Sequence, residues 1–166
     1  MALLDYVRQF PAPGLVPADT VLAARGAWDI DNLTALLEGT HGLAEVKVFA
    51  ELDAAELAAV DTPERALSDF LETGVPPLWS SQHRGVKTVK LGGTLTGAGG
   101  TLVSIVGSEP RLADDQAHLQ PLNWIVAALR RDDGDPGVVV FVVPGELSGD
   151  VAQVISDAGL RVESWD

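Results

Sequence analysis

Hydrophobic positions are densest near the end of the chain, where six consecutive apolar residues, mostly β-branched, occupy positions 138–143. An unbroken apolar run of this length is typical of a β-strand that is covered on both faces. A helical segment follows and stops at Gly159, and a second strand is predicted over 160–165. Strand, helix and strand in this order predict a right-handed βαβ unit, with 138–143 central in the sheet and 160–165 beside it in parallel.

Two further regions have the pattern of strands. Residues 45–52 alternate, with the even positions apolar and the odd positions polar except for Phe49, which predicts a half-buried strand. The β-like segments 85–91 and 101–106 flank a glycine-rich stretch over 92–100. Together they predict an antiparallel hairpin over 85–106 with a long, mobile tip.

Helices are predicted from N-capping acids, glycines and prolines. The predicted helices are 32–38 between Asp31 and Gly39, a short one opened by Asp53, 64–72 ending at Gly74, and 112–130 with an interruption at Pro121, while 21–24 fits either a helix or a strand. The chain has no internal repeat and no long linker. These elements predict a single α/β domain over 1–166, in which helices pack on a mixed sheet.

Composition narrows the function classes. The chain has 166 residues, of which 24 are acidic and 11 are basic, and its net charge is −13. Such a charge repels nucleic acid phosphates and anionic lipids, so neither a nucleic acid nor a membrane is an expected partner. The chain has no cysteine, which excludes disulfides, a thiol nucleophile and cysteine-ligated metals. The absence of a signal peptide pattern predicts a cytoplasmic protein, and the scarcity of lysine favours a bacterial or phage origin.

Charge is distributed unevenly along the chain. Residues 51–72 include seven acids and one base, whereas residues 73–108, which we name the acid-free segment, carry three bases and no acid. Strand alternation places Lys87 on the face opposite Arg84 and Lys90, so the bases form no continuous stripe for a phosphate backbone. The basic hairpin either neutralises the acidic helices beside it or faces a partner. In the second case the predicted partner-binding residues are Trp79, Arg84, Lys87 and Lys90.

One short motif indicates a catalytic alternative. Glu45 and Lys47 match the last part of the PD-(D/E)xK nuclease pattern, in which two acids hold a magnesium ion and the lysine polarises the attacking water. On a strand, the two side chains share one face. Asp31 or Asp29 would then supply the second acid, although both introduce a predicted helix. The simpler interpretation is the solvated face of an amphipathic strand.

The sequence shows no convincing nucleophile, cofactor loop or ligand cluster. We therefore expect a non-enzymatic, cytoplasmic protein-binding module that uses no cofactor, such as an adaptor, an inhibitor or a structural subunit of a bacterial or phage assembly. The first alternative is the metal-dependent nuclease. The second is an acidic mimic of nucleic acid that binds a basic partner, and self-association into a homo-oligomer also stays open.

Overall fold

Seven β-strands form one sheet in the computed structural model, which describes residues 19–43, 45–59, 61–78, 80, 84–106, 117–130 and 136–165. The strands are β1 (Asp19–Arg25), β2 (Lys47–Asp53), β3 (Val86–Thr96), β4 (Thr101–Val106), β5 (Ala117–Pro121), β6 (Val138–Pro144) and β7 (Arg161–Trp165). Their order across the sheet is β5-β4-β3-β2-β6-β1-β7, and every pair of neighbours is antiparallel. The layered α/β architecture is confirmed, but the mixed sheet is wrong.

β6 is an interior strand, as its apolar run predicts. Its residues from Val138 to Val143 are all buried, because β2 and β1 pair with its two edges and both of its faces contribute to the core. β7 does not lie beside it. β1 pairs antiparallel with both strands, so β6 and β7 point the same way with one strand between them.

The sequence of β1 explains this correction. Val21, Leu22, Ala23 and Ala24 are all buried, and the two alanines are completely covered. Side chains this small suit a helix as well as a strand, so the local pattern at 21–24 does not show that a strand belongs there. With β1 beside β6, the last strand joins the sheet at the outer edge of β1.

Four helices are described: α1 (Ile30–His41), α2 (Glu64–Thr73), α3 (Leu122–Arg130) and α4 (Ser148–Asp157), with 3-10 turns at Ala54–Glu56 and Gly145–Leu147. α1 begins two residues earlier than predicted, because Asp29 rather than Asp31 is its N-cap and accepts a hydrogen bond from the Asn32 amide at 2.7 Å. Gly39 lies inside α1. A Cβ there would come within 2.6 Å of the Val154 side chain, so this glycine allows α1 to approach α4.

The predicted helix over 112–130 is shorter in the structure. Residues 117–121 form the edge strand β5, and only 122–130 are helical, while 107–116 lie outside the described residues. Pro121 ends the strand instead of interrupting a helix. Other helix ends agree with prediction, since α2 ends at Gly74, whose φ is 79°, and the turn after α4 contains Gly159, whose φ is 81°.

The sheet has a larger core on the side where α1, α3 and α4 contribute residues, including Leu33, Ile125 and Ile155. On this side the even positions of β2, Val48, Ala50 and Leu52, are buried, which confirms the predicted alternation. A smaller cluster occupies the opposite face. Its members are Val21, Ala23, Phe49, Val138, Val140 and Val142, with Trp165 packed against them. None of the described helices has the length and apolar character needed to cross a bilayer.

Candidate functional site

The acid-free segment carries most of the exposed apolar residues of the described structure. Of the five large hydrophobic residues that are exposed, Val75, Leu78, Val86 and Leu95 lie in this segment, and only Ile30 lies elsewhere. Leu78 is 84% exposed, the highest value among them. Single exposed apolar residues are normal on protein surfaces, but four in a stretch that also lacks carboxylates are not evenly scattered.

Backbone contacts connect two points of the acid-free segment to residues 54–58. Ser80 forms an antiparallel bridge with Ala58, and the Gly85 carbonyl accepts a hydrogen bond from the Ala54 amide at 3.0 Å. Ser80 and Gly85 therefore both lie beside the short segment 54–58. We name the residues next to these contacts in sequence, Leu78, Arg84 and Val86, the basic–apolar surface.

The structure separates the predicted partner-binding bases by face. Lys87 pairs with Leu52, which faces the helices, and Lys90 pairs with Phe49 on the opposite face, as the spacing predicts. Burial of the Lys90 ammonium, followed by repulsion from the charge of Lys47, lowers the pKa of Lys90. Arg84 is exposed and precedes β3, whereas Trp79 lies outside the described residues. Of the predicted set, Arg84 lies next to the exposed Val86 in sequence, and Lys90 rather than Lys87 shares the sheet face of Val86.

The glycine-rich stretch, which was predicted to be a mobile tip, packs against α2 instead. β3 continues to Thr96 across a bulge at Gly92 and Gly93, so the turn of the hairpin is only 97–100. The Gly99 amide donates to the Leu71 carbonyl at 2.7 Å, which satisfies a backbone acceptor at the end of α2.

Packing of this turn against α2 requires glycines. A Cβ at Gly97 would overlap the Leu71 carbonyl, and a Cβ at Gly99 would lie 2.6 Å from the Phe70 carbonyl oxygen. A Cβ at Gly100 would lie 2.7 Å from the Phe70 ring. The small residues of the turn therefore serve the fold, and removing the turn would disturb α2 as well as the hairpin.

The residues of the nuclease alternative do not share a strand face. Glu45 has a φ of 66° and lies in a turn before β2, which begins at Lys47. Asp29 is committed to capping α1, and Asp31 is exposed in the first turn of that helix. Within the described ranges, no three histidine, aspartate or glutamate side chains form a group that could hold a metal ion. Lys47 instead acts electrostatically on Lys90.

Exposed acids are spread over several elements. In the described part of the chain they include Asp31 and Glu38 on α1, Glu64, Asp69 and Glu72 on α2, and Asp150 and Asp157 on α4. An acidic mimic of nucleic acid needs its carboxylates on one face. The described exposed acids are not concentrated on any one helix or strand. The acidic mimic stays a prediction.

An ionic cluster joins β1 and β7 at the sheet edge. The Arg25 Nε donates to the Glu163 Oε2 at 2.9 Å, and the Arg25 guanidinium lies 5.9 Å from the centre of the Trp165 ring. The hydrogen bond from Arg25, supported by Trp165 and Arg161, outweighs partial burial and lowers the pKa of Glu163. This cluster secures the last strand.

Two buried polar contacts have no local signal in the sequence. Gln120, which is fully buried on β5, accepts from the Ala58 amide and donates to the Ala58 carbonyl, both at 2.9 Å. The Trp28 indole donates to the Gly137 carbonyl at 2.8 Å. The Gln120 contact fixes the same segment that anchors the basic–apolar surface, so β5 supports that surface from a distance of 62 positions in sequence.

A protein-family model described as a family of unknown function matches residues 11–166, which is most of the chain. The chain belongs to the DUF6885 family. No curated protein and no solved structure matches this DUF6885 chain. The features that indicate a role for this DUF6885 member are therefore those of its own surface.

Proposed function

We propose that this DUF6885 chain is a protein-binding module that docks its partner on the basic–apolar surface. The observation that carries the proposal is the coincidence of exposed apolar side chains with the acid-free segment in a chain of net charge −13. Exposed apolar side chains in a segment whose only charges are basic fit a partner that presents apolar side chains beside carboxylates.

Backbone contacts beside this surface support the same role. Ser80 and Gly85 are held against residues 54–58 by backbone contacts, so these contacts do not need the side chains of Leu78 and Val86. Residues next to fixed backbone lose less conformational entropy on binding than free residues do. Leu78 and Val86 are therefore available as anchors.

The biological setting is part of the proposal. We infer an adaptor, an inhibitor or a structural subunit of a bacterial or phage assembly that works in the cytoplasm. Asp5 interrupts what would be the apolar core of a signal peptide, which supports the cytoplasm, and the scarcity of lysine supports the source.

Affinity capture with paired variants tests the proposal. The double substitution Leu78→Ser and Val86→Ser removes two exposed apolar anchors, and Ile30→Ser removes one outside the acid-free segment as a control. We expect the wild type and Ile30→Ser to capture a specific partner from a lysate of the source organism. The amount recovered with the double variant should be at least about tenfold lower, because buried apolar anchors dominate binding energy. Equal recovery by all three proteins, with the fold intact by circular dichroism, would contradict the proposal.

A further inference from the structure

A groove on the helix side of the molecule is lined by residues that do not belong to the basic–apolar surface. It has a volume of about 320 Å³ and lies between the start of α1, the 3-10 turn Ala54–Glu56 and α3. Ligand cavities in proteins span roughly 300–1,000 Å³, so this groove suits a small molecule. The described residues that line it are Ile30, Glu56, Asn123, Val126, Ala127 and Arg130.

The groove follows one face of α3. Its α3 residues, at positions 123, 126, 127 and 130, have the helical spacing that brings side chains into line along about two turns, or roughly 10 Å. Val126 and Ala127 occupy the middle of this face, whereas Asn123 and Arg130 occupy its ends. The arrangement is an apolar floor between polar ends.

Arg130 is held in place by the backbone beside it. Its Nε donates to the Trp28 carbonyl at 2.6 Å, and Trp28 is itself buried, with its indole bonded to the Gly137 carbonyl. This contact uses one donor of the guanidinium and leaves both terminal nitrogens. Paired N–H groups of this kind match the two oxygens of a carboxylate.

The 3-10 turn contributes an acid to the lining of the groove. Glu56 lines the groove and is exposed, and Asp31 follows Ile30 at the start of α1. The ion pairs found among the described residues do not join Glu56 to Arg130. A carboxylate and a guanidinium that border one apolar floor without neutralising each other favour a ligand that carries both charges.

We propose that this groove binds a free apolar amino acid in its zwitterionic form. Arg130 receives the carboxylate, Glu56 receives the ammonium group, and the side chain packs on Val126, Ala127 and Ile30. The site is independent of the proposed protein-binding role, since none of its residues belongs to the basic–apolar surface.

Amide NMR titration of the full chain tests the ligand class. The probes are alanine, valine, leucine, isoleucine, methionine and phenylalanine, each added up to roughly 10 mM, which detects even weak millimolar binding. We expect at least one to shift the amides of Ile30, Val126 and Ala127. Its carboxamide and N-acetyl analogues each lack one charge. Each should bind at least about tenfold more weakly than the parent amino acid.

Variants test the site itself. Glu56→Gln removes one charge, and Ala127→Leu fills the floor without touching either charge, whereas Glu72→Gln on α2 is the matched control. The first two should each weaken binding about tenfold or more, and the control should not. The proposal is overturned if none of the six amino acids shifts these amides. It is also overturned if a one-charge analogue binds as tightly as its parent, or if both groove variants, with native-like spectra, bind like the wild type.

Discussion

Gly99 shows how a single residue links two elements of this fold. Its amide caps the end of α2, and a side chain at this position would overlap the backbone nitrogen of Gly74. We expect Gly99→Ala to lower the free energy of unfolding by about 1–3 kcal/mol, because backbone atoms cannot move aside as a flexible side chain can. Urea denaturation measures the effect.

Gly93 provides the matched control for this prediction. It lies in the same hairpin, but a Cβ there would meet nothing within 4 Å. Gly93→Ala should therefore change stability by less than about 0.5 kcal/mol. Equal losses from the two substitutions would mean that the turn does not pack on α2 as described.

Glu163 gives the fold a pH dependence that can be measured. Its pKa is lowered from the ordinary value of 4.5, chiefly by the hydrogen bond from Arg25. A carboxyl with a lowered pKa stabilises the fold above its ordinary pKa, and this contribution is lost as the pH falls through the lowered value. Glu163→Gln should therefore lower the Tm at pH 7, and the difference from wild type should shrink as the pH falls below 4.5.

A thermal unfolding series over this pH range checks the prediction. Glu38→Gln, on the exposed side of α1, is the control that removes a carboxylate without breaking the Arg25 contact. A difference between Glu163→Gln and wild type that stays constant down to acid pH would contradict the role given to this carboxylate.

Among the elements, β5 and the segment 54–58 are joined by the paired hydrogen bonds of Gln120 with Ala58. Gln120→Leu keeps the approximate volume but leaves a buried amide and a buried carbonyl without their partner. We expect a loss of roughly 2–5 kcal/mol in the free energy of unfolding, since each unsatisfied group costs about 1–3 kcal/mol. Gln153→Leu, at an exposed position on α4, should cost less than about 0.5 kcal/mol. Denaturation of both variants in parallel makes the comparison, and similar losses would contradict the contact.

Elements with a strong local signal could be predicted from the sequence. The apolar run of β6, the alternation of β2 and the glycine after α2 each determine their own structure locally. The position of β1 between β6 and β7 could not be predicted, because pairing depends on which strands compete for an edge, and the small residues of β1 suit two structures. For the same reason, the prediction that the last two strands are parallel neighbours was wrong.

The candidate site divides in the same way. Segregation of charge is visible in the sequence, and it indicates the acid-free segment directly. The contacts of Ser80 and Gly85 are with residues more than 20 positions away in sequence. No local sequence pattern predicts them. The glycines at 97–100 are visible in the sequence, but glycine is used both for flexible loops and for close packing. Only the contact with α2 shows that close packing is their role here.

For the molecule as a whole, charge and exposed apolar area have opposite distributions. The described exposed acids lie largely on α1, α2 and α4, while most exposed large apolar residues lie in the acid-free segment. A net charge of −13 keeps copies of the chain apart at long range, and the acid-free segment contributes none of the negative charge. This contrast favours a single contact surface over non-specific association.

Site-specific photo-crosslinking in the native cell tests that surface most directly. A photoreactive residue replaces Leu78 in one protein and Ile30 in another, two exposed apolar positions inside and outside the acid-free segment. We predict a discrete covalent adduct with one protein partner at position 78 and none at position 30. The absence of an adduct at position 78, or the same adduct at both positions, would contradict the basic–apolar surface as the docking site.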